Sequence, residues 1–310
     1  MTTARRLLYT LAVLLVFLSG LEILGRLLPA NDNRTAFAAH PVRGWTLPEH
    51  TTFSFFEVPA TTNSLGLRSA EPQDSPALRV LTLGDSSAFG HGVADGETFS
   101  AVLAQRTGAD VQNGGVPGYT CVQSASRYQD VAGVLRPDIL LVYTLHNDVR
   151  KITSDDEIWV NRAATLGVLR LLSTAQRWMK MRQGASRVTL EVFRRCLTGL
   201  IEAQQARAGS VLLIMPFEQK HLDARGTGVS GTQGMGHQRP YRDVLSELAE
   251  VHHLPFLNLT DTTWAGDHPT ASLMLDSVHP TATGHRLIAA QILRTLAGSG
   301  VVWPRKGAKP

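Results

Sequence analysis

The chain has 310 residues, 43% hydrophobic and 18% charged, so it can bury a sizeable core of the kind an α/β fold builds. Its 30 basic and 26 acidic side chains leave a formal charge of +4, too mild to imply nucleic acid, and no RNP-like, zinc-finger or heptad pattern adds to it. The two cysteines, Cys121 and Cys196, fit no C-x-x-C spacing; this argues against a zinc or thioredoxin-like site and leaves two separate, mostly buried thiols as the expectation.

The N-terminus carries a targeting signal. Arg5 and Arg6 precede an apolar run of 15 residues, Leu7 to Leu21. Counting on to Leu28 brings the segment to the roughly 20 residues that cross a bilayer. Basic residues ahead of the run place the N-terminus in the cytoplasm and the body of the protein outside it. No small-x-small cleavage site follows directly, and Ala36-Phe37-Ala38 lies well past Leu28. Residues 1–30 therefore read as a membrane anchor or signal segment, an uncleaved anchor being favoured over a removed signal peptide. Residues 31–77 read as a linker with short extended pieces such as Thr52–Val58, and Asn63–Arg68 as a turn into the main domain.

Residues 78–298 then carry an α/β rhythm, with 299–310 left as a tail. Strands are expected at Leu78–Leu83, Ala109–Asn113, Asp138–Leu145, Ser210–Met215 and Leu254–Leu259. Helices are expected at Phe99–Arg106, Cys121–Leu135, Val188–Ala208, Tyr241–His252 and His285–Leu296. Apolar strands alternating with helices predict a three-layer α/β/α sandwich around a mainly parallel sheet. Two stretches interrupt the rhythm. Residues 155–187 form an insertion, and from Arg162 to Arg195 eight Lys or Arg face a single acid, Glu191. With Leu169, Leu172, Trp178 and Met181 interleaved, that stretch is either a solvated face or a lid or membrane-surface element. Residues 223–240 are Gly-rich.

Ligands of open α/β sheets gather at the carboxyl ends of strands. Three polar clusters fall there: Gly84-Asp85-Ser86-Ser87, Asn113 to Gly118, and His146-Asn147-Asp148. A fourth, Asp276-Ser277-Val278-His279, lies in a loop near the C-terminus. Taken singly each is weak, since Asp and Ser after a strand often just cap a helix.

In this order the four clusters resemble the SGNH, or GDSL-like, hydrolases. That family has a Gly-Asp-Ser block, a glycine block, a Gly-x-Asn-Asp block and a terminal Asp-x-x-His. The matching pieces here are Leu83–Ser86, Asn113–Gly118, Leu145–Asp148 and Asp276–His285. One departure is that Leu145 stands where the family usually has glycine. The resemblance implies Ser86 as nucleophile, His279 as its base and Asp276 as the partner that orients the imidazole. It also implies an oxyanion hole formed by the Ser86 N–H, the Gly118 N–H and the Asn147 amide, with no cofactor or metal. Asp85 is expected to order its loop, His285 to cap or pack, and His91 and His146 to lie near the site. His252-His253 is expected to sit at a helix end, where a histidine is electrostatically at ease.

The expected activity is cleavage of a carboxylic ester, from a small molecule or a carbohydrate, through an acyl-serine. Two alternatives remain open at the level of sequence: O-acetyl transfer to an extracellular polysaccharide, and a non-catalytic binding module on the same fold. The four intact residues Ser86, Asn147, Asp276 and His279 argue against the second.

Overall fold

The computed structural model describes residues 3–27, 37–55, 57–151, 179, 184–225 and 236–303. Most of the basic insertion, including Leu169, Leu172, Trp178 and Met181, and the middle of the Gly-rich stretch lie outside the described residues. The chain divides into two compact units, Met1–Thr46 with Lys151–Ala185, and Leu47–Arg150 with Ser186–Pro310.

The first unit contains helix α1 (Thr3–Leu27) and a hairpin of β1 (Ala38–His40) and β2 (Gly44–Thr46). The apolar window Thr3–Leu24 of α1 is long and apolar enough to cross a membrane, and none of it is buried. A helix apolar on all sides has no polar face to turn to water.

The second unit opens with the hairpin β3 (Thr52–Phe55) and β4 (Val58–Thr61). The piece expected as a single extended run, Thr52–Val58, thus turns back on itself. The main sheet follows. Its strands are β5 (Arg79–Gly84), β6 (Asp110–Asn113), β7 (Ile139–Tyr143), β8 (Ser210–Met215) and β9 (Phe256–Asn258), in the order β6-β5-β7-β8-β9, all parallel. The intervening helices are α2 (Ser86–Phe89), α3 (Phe99–Thr107), α4 (Cys121–Leu135) and α5 (His146–Val149). They continue with α6 (Leu190–Gln205), α7 (Gln219–Asp223), α8 (Arg239–Val251), α9 (Thr270–Leu273) and α10 (Ala282–Gly298).

Strand composition explains the layers. Successive side chains of a strand point to opposite faces. Leu81, Leu83, Leu140, Val142, Val211 and Leu213 therefore fill one face, with residues of α4, α6 and α8. Val80, Ile139, Leu141, Leu212 and Ile214 fill the other, with α3 and α10. Both faces are covered, which is why the strands read as continuous apolar runs. The helix limits follow local chemistry. Thr98 caps α3 by accepting from Ala101 N–H at 3.1 Å, and Gly108 at φ 74° closes it. Gln123 accepts from the Thr120 N–H at 2.9 Å and starts α4, which Arg136 at φ 49° ends ahead of Pro137.

The third strand was expected to reach Leu145 but β7 stops at Tyr143. Thr144 is turned away by its hydroxyl bond to Asp148, and Leu145 takes φ 149°. The last strand is likewise shorter than its apolar pattern. Leu254 and Pro255 lead in from His253, whose φ of 52° ends the preceding turn. Neither cysteine forms a disulfide, and Cys121 is buried while Cys196 is half-buried. This agrees with the expectation of two separate thiols; burial, with Cys196 nearby, holds the Cys121 thiol well above its ordinary range.

β5 has neighbours on both sides, β6 by one crossover and β7 by the next. Connections leave β5 toward β6 and β7 toward β8, in opposite directions, so the strand order switches between β5 and β7. In open α/β sheets this switch point is where ligands bind, at the carboxyl ends of the strands.

Candidate active site

Ser86 is the first residue of α2, directly after β5. The Asp85 carboxylate caps this one-turn helix by accepting from the Ser87 N–H at 2.9 Å, which supports its expected ordering role. Gly84 is required by space. A Cβ there would lie 2.2 Å from the Tyr143 carbonyl oxygen and 2.7 Å from Ala88 Cβ. The far end of α2 is held from two sides. Asn113 donates its amide to the carbonyls of Ala88 and Phe89 at 3.0 and 3.3 Å. Arg68, buried beneath, donates to Phe89, Gly90 and Val93 carbonyls at 3.1, 2.6 and 2.6 Å, and pairs with Asp95 at 2.7 Å.

The residues nearly two hundred positions later come back to this point. The segment Met274–Pro280 is a tight loop closed by a bridge between its ends and by Leu275 N–H donating to His279 O at 2.8 Å. Inside it, Asp276 Oδ1 accepts the N–H groups of Val278 and His279, both at 2.9 Å. Asp276 Oδ2 lies 2.7 Å from His279 Nδ1, and His279 Nε2 lies 2.8 Å from Ser86 Oγ. A proton on Nδ1 satisfies the carboxylate and leaves Nε2 free to accept from the serine hydroxyl. Burial raises the Asp276 pKa, but the hydrogen bonds from His279 and Val278 outweigh it and hold the carboxyl below its ordinary value. The Ser87 hydroxyl donates to Val278 O at 3.0 Å, so the serine helix also carries the loop.

Gly118 lies in the turn Val116-Pro117-Gly118-Tyr119, closed by Tyr119 N–H donating to Val116 O at 3.1 Å. Proline second and a glycine third, here at φ 83°, are the marks of a type II turn, which needs φ above zero at that position. The turn is packed on the serine helix: a Cβ on Gly115 would lie 2.5 Å from Phe89 N. Arg187 Nη1 donates to Gly118 O at 3.0 Å. Asn147, in α5, donates its amide to Tyr119 O at 3.0 Å. A primary amide has two N–H donors, and Tyr119 takes one. Asp148 fastens α5 to the start of α4 by accepting from Cys121 N–H at 2.8 Å and Thr144 Oγ1 at 2.7 Å.

The structure thus joins Ser86, His279 and Asp276 by direct hydrogen bonds, and links Gly118 to Asn147 through Tyr119. The other histidines are sorted by their surroundings. His91 packs against His279, with ring centroids 4.5 Å apart and the planes tilted by 37°. His146, with its side chain 8% exposed, lies 3.6 Å from the Asp85 carboxylate and 3.2 Å from Phe217 O. Its burial favours the neutral ring, but the Asp85 carboxylate prevails and the pKa is raised. His285 is fully buried and accepts from Phe99 N–H at 3.2 Å, in keeping with a packing role. Sequence reading gave no role to Arg68, Asn113 or Arg187. Their bonds go to main-chain carbonyls far along the chain, and such partners leave no local pattern.

The GDSL-like lipase/acylhydrolase family model matches residues 82–287. No curated protein matches the chain. Among solved structures, an alpha/beta hydrolase enzyme from the metagenome of Lake Arreo shares 20% identity, covers 72% of this chain and 96% of its own, and superposes with a TM-score of 0.50. A GDSL-like lipase from Parabacteroides merdae shares 15%, covers 73% and 99%, and gives 0.50. An acetyl-xylooligosaccharide esterase from Geobacillus shares 20%, covers 74% and 97%, and gives 0.49. A family model spanning two thirds of the sequence, on a five-stranded parallel sheet with the serine at its switch point, identifies the chain as a member of the GDSL-like lipase/acylhydrolase family.

Proposed function

We propose that the chain is a serine hydrolase that cleaves carboxylic esters through an acyl-serine, with Ser86, His279 and Asp276 as its triad. The observation that carries this reading is the 2.8 Å contact between Ser86 Oγ and His279 Nε2. A hydroxyl is a poor nucleophile until a base takes its proton. As Ser86 Oγ attacks the ester carbonyl, its proton passes to Nε2. The imidazolium that forms is stabilised by the Asp276 carboxylate on Nδ1. The carbonyl oxygen becomes an oxyanion and is met by the Ser86 N–H, the Gly118 N–H and the second N–H of Asn147. Donors set before the reaction can each contribute about 3–4 kcal/mol to the transition state. Collapse of the adduct expels the alcohol, which takes the proton from His279. Water then repeats the sequence and frees the acid.

The domain limits that fit this reading are 78–298 for the hydrolase domain and 1–30 for a membrane anchor. The catalytic domain then lies outside the cytoplasm, where its substrate is an ester of a small molecule or a carbohydrate. The reading is supported by the apolar length of α1 and by Arg5 and Arg6 ahead of it. Hydrolysis of p-nitrophenyl acetate tests the chemistry. His279→Ala is expected to lower kcat by about a thousandfold or more. Wild-type turnover in that variant would remove His279 as the base. A reporter fused after Pro310 tests the topology: it is expected to be active only outside the cytoplasm, and activity confined to the inside would reverse the assignment.

A further inference from the structure

The turn Gly90-His91-Gly92 directly follows the serine helix, and the mechanism above gives it no task. Its backbone is firmly held. Gly90 and Gly92 take φ values of 88° and 79°, so His91 is carried between two left-handed residues. The His91 N–H donates to Ser86 O at 3.0 Å, and Arg68 holds the carbonyls on either side, Gly90 at 2.6 Å and Val93 at 2.6 Å. The turn also meets the loop of His279. A Cβ on Gly92 would lie 2.6 Å from Leu275 Cδ1, so Leu275 rests on bare glycine backbone. The His91 ring packs against the His279 ring, centroid to centroid 4.5 Å, with the two planes tilted by 37°.

His279 needs such a contact. Its hydrogen bonds to Asp276 and Ser86 both lie at the edge of the ring. Two edge bonds leave the imidazole free to tilt about the line that joins them. The His279 side chain is only 15% exposed, and the His91 ring is one of the groups packed against it. A flat group against the face removes the remaining freedom.

We propose that His91 is a positioning residue for His279, its ring holding the imidazole face so that Nε2 stays in line with Ser86 Oγ. The proposal rests on the reading of His279 as the base. An imidazole is suited to the place because it stays uncharged there. The charged and titratable groups near enough to act on it are His279, which its ring touches, Asp276 and Arg68. Burial, then the neighbouring His279, push its pKa down to about 4. At neutral pH the His91 ring is therefore uncharged and does not itself oppose the imidazolium that forms on His279 during attack.

The test is steady-state hydrolysis of p-nitrophenyl acetate by full-length His91→Ala and His91→Phe, with kcat referred to active sites counted by fluorophosphonate titration. Unfolded protein then drops out of the comparison. His91→Ala is expected to lower kcat about tenfold to a hundredfold with KM within about twofold, because a small misplacement of a reacting group costs that much. His91→Phe, which keeps the flat face and lacks ring nitrogens, is expected to restore kcat to within about threefold of wild type. The low-field proton resonance of the His279–Asp276 hydrogen bond is expected to persist in the Phe variant and broaden in the Ala variant. Wild-type kcat in His91→Ala would overturn the proposal. So would equal losses in both variants with a raised KM, which would assign the ring nitrogens to substrate. A wild-type protein with no turnover and no adduct on Ser86 would remove the underlying reading as well.

Discussion

Gly118 and Leu145 hold the two backbone conformations on which the proposed oxyanion site depends. In a type II turn the peptide between the second and third residues has its N–H on the opposite side from a type I turn. An alanine at position 118 is strained at φ 83° and favours the flipped peptide, which carries the N–H away from the developing oxyanion. Gly118→Ala is expected to lower kcat by about a hundredfold while KM changes little, the pattern of a lost transition-state donor. A raised KM at unchanged kcat would place Gly118 in substrate binding instead. Leu145 is the converse case, a branched side chain at φ 149° where the family has glycine, its side chain fully buried between the sheet and its helices. The strained backbone costs about 1–3 kcal/mol, which burial of the leucine offsets. Leu145→Ala and Leu145→Gly both empty the same space, but only glycine releases the strain. Thermal unfolding is therefore expected to rank the glycine variant above the alanine variant, the reverse of the usual order. The usual order would show that position 145 carries no strain.

At the scale of elements, the serine helix is too short to hold itself, so other elements fix it. A single turn has no internal ladder to speak of, and nucleating one is unfavourable. Asp85 caps its start, Asn113 from the end of β6 binds its last carbonyls, and Arg68 holds the turn that follows. Arg68→Met keeps the length of the stem but removes the guanidinium donors from the carbonyls of Phe89, Gly90 and Val93, of which Phe89 keeps Asn113 and Gly90 keeps the Val93 N–H. The loss is expected at about 3 kcal/mol by denaturant titration, with activity falling more steeply than stability because Ser86 shifts with its helix. A variant that loses stability but keeps full kcat would separate Arg68 from the site. The long elements were legible because local chemistry and burial agree in them. Cys121–Leu135 is bounded by a capping box and by Arg136-Pro137, and β8 is an apolar run stopped by Pro216. The order of the four polar blocks made Ser86, Gly118, Asn147, Asp276 and His279 legible as candidates. Arg68 was not, because its meaning comes from carbonyls more than twenty residues away. The hairpin β3–β4 was missed because Thr52–Val58 contains no glycine to mark its turn; Glu57 takes φ 62° in its place.

At the scale of the whole molecule, buried histidines set how stability depends on pH. Burial, with nearby Arg or His cations, lowers the pKa of His91 and His221 to about 4 and of His285 to about 3, from an ordinary value of 6.5. A histidine whose folded pKa is depressed takes up its proton more readily in the unfolded chain. These three therefore contribute stability fully above about pH 6.5, and it is lost as pH falls toward 4. The lowered carboxyls of Asp276 and Glu218 act in the same direction in acid. His146 acts oppositely: its raised pKa stabilises the fold while the ring is charged and is lost as pH rises through it. Asp148, its carboxyl raised by burial, acts with His146; with three histidines and two lowered carboxyls set against these two, the unfolding temperature is expected to climb between pH 4 and 6.5 and then level. A flat profile across that window would mean that these rings are hydrated.

The whole account depends on a hydroxyl made reactive by an imidazole that the chain brings back over 193 positions. Intact-mass spectrometry after treatment with a fluorophosphonate measures that reactivity directly. One adduct per chain is expected, mapped to Ser86, absent in Ser86→Ala and strongly slowed in His279→Ala. A chain that stays unmodified, or takes the label on another residue, contradicts the assignment of the nucleophile.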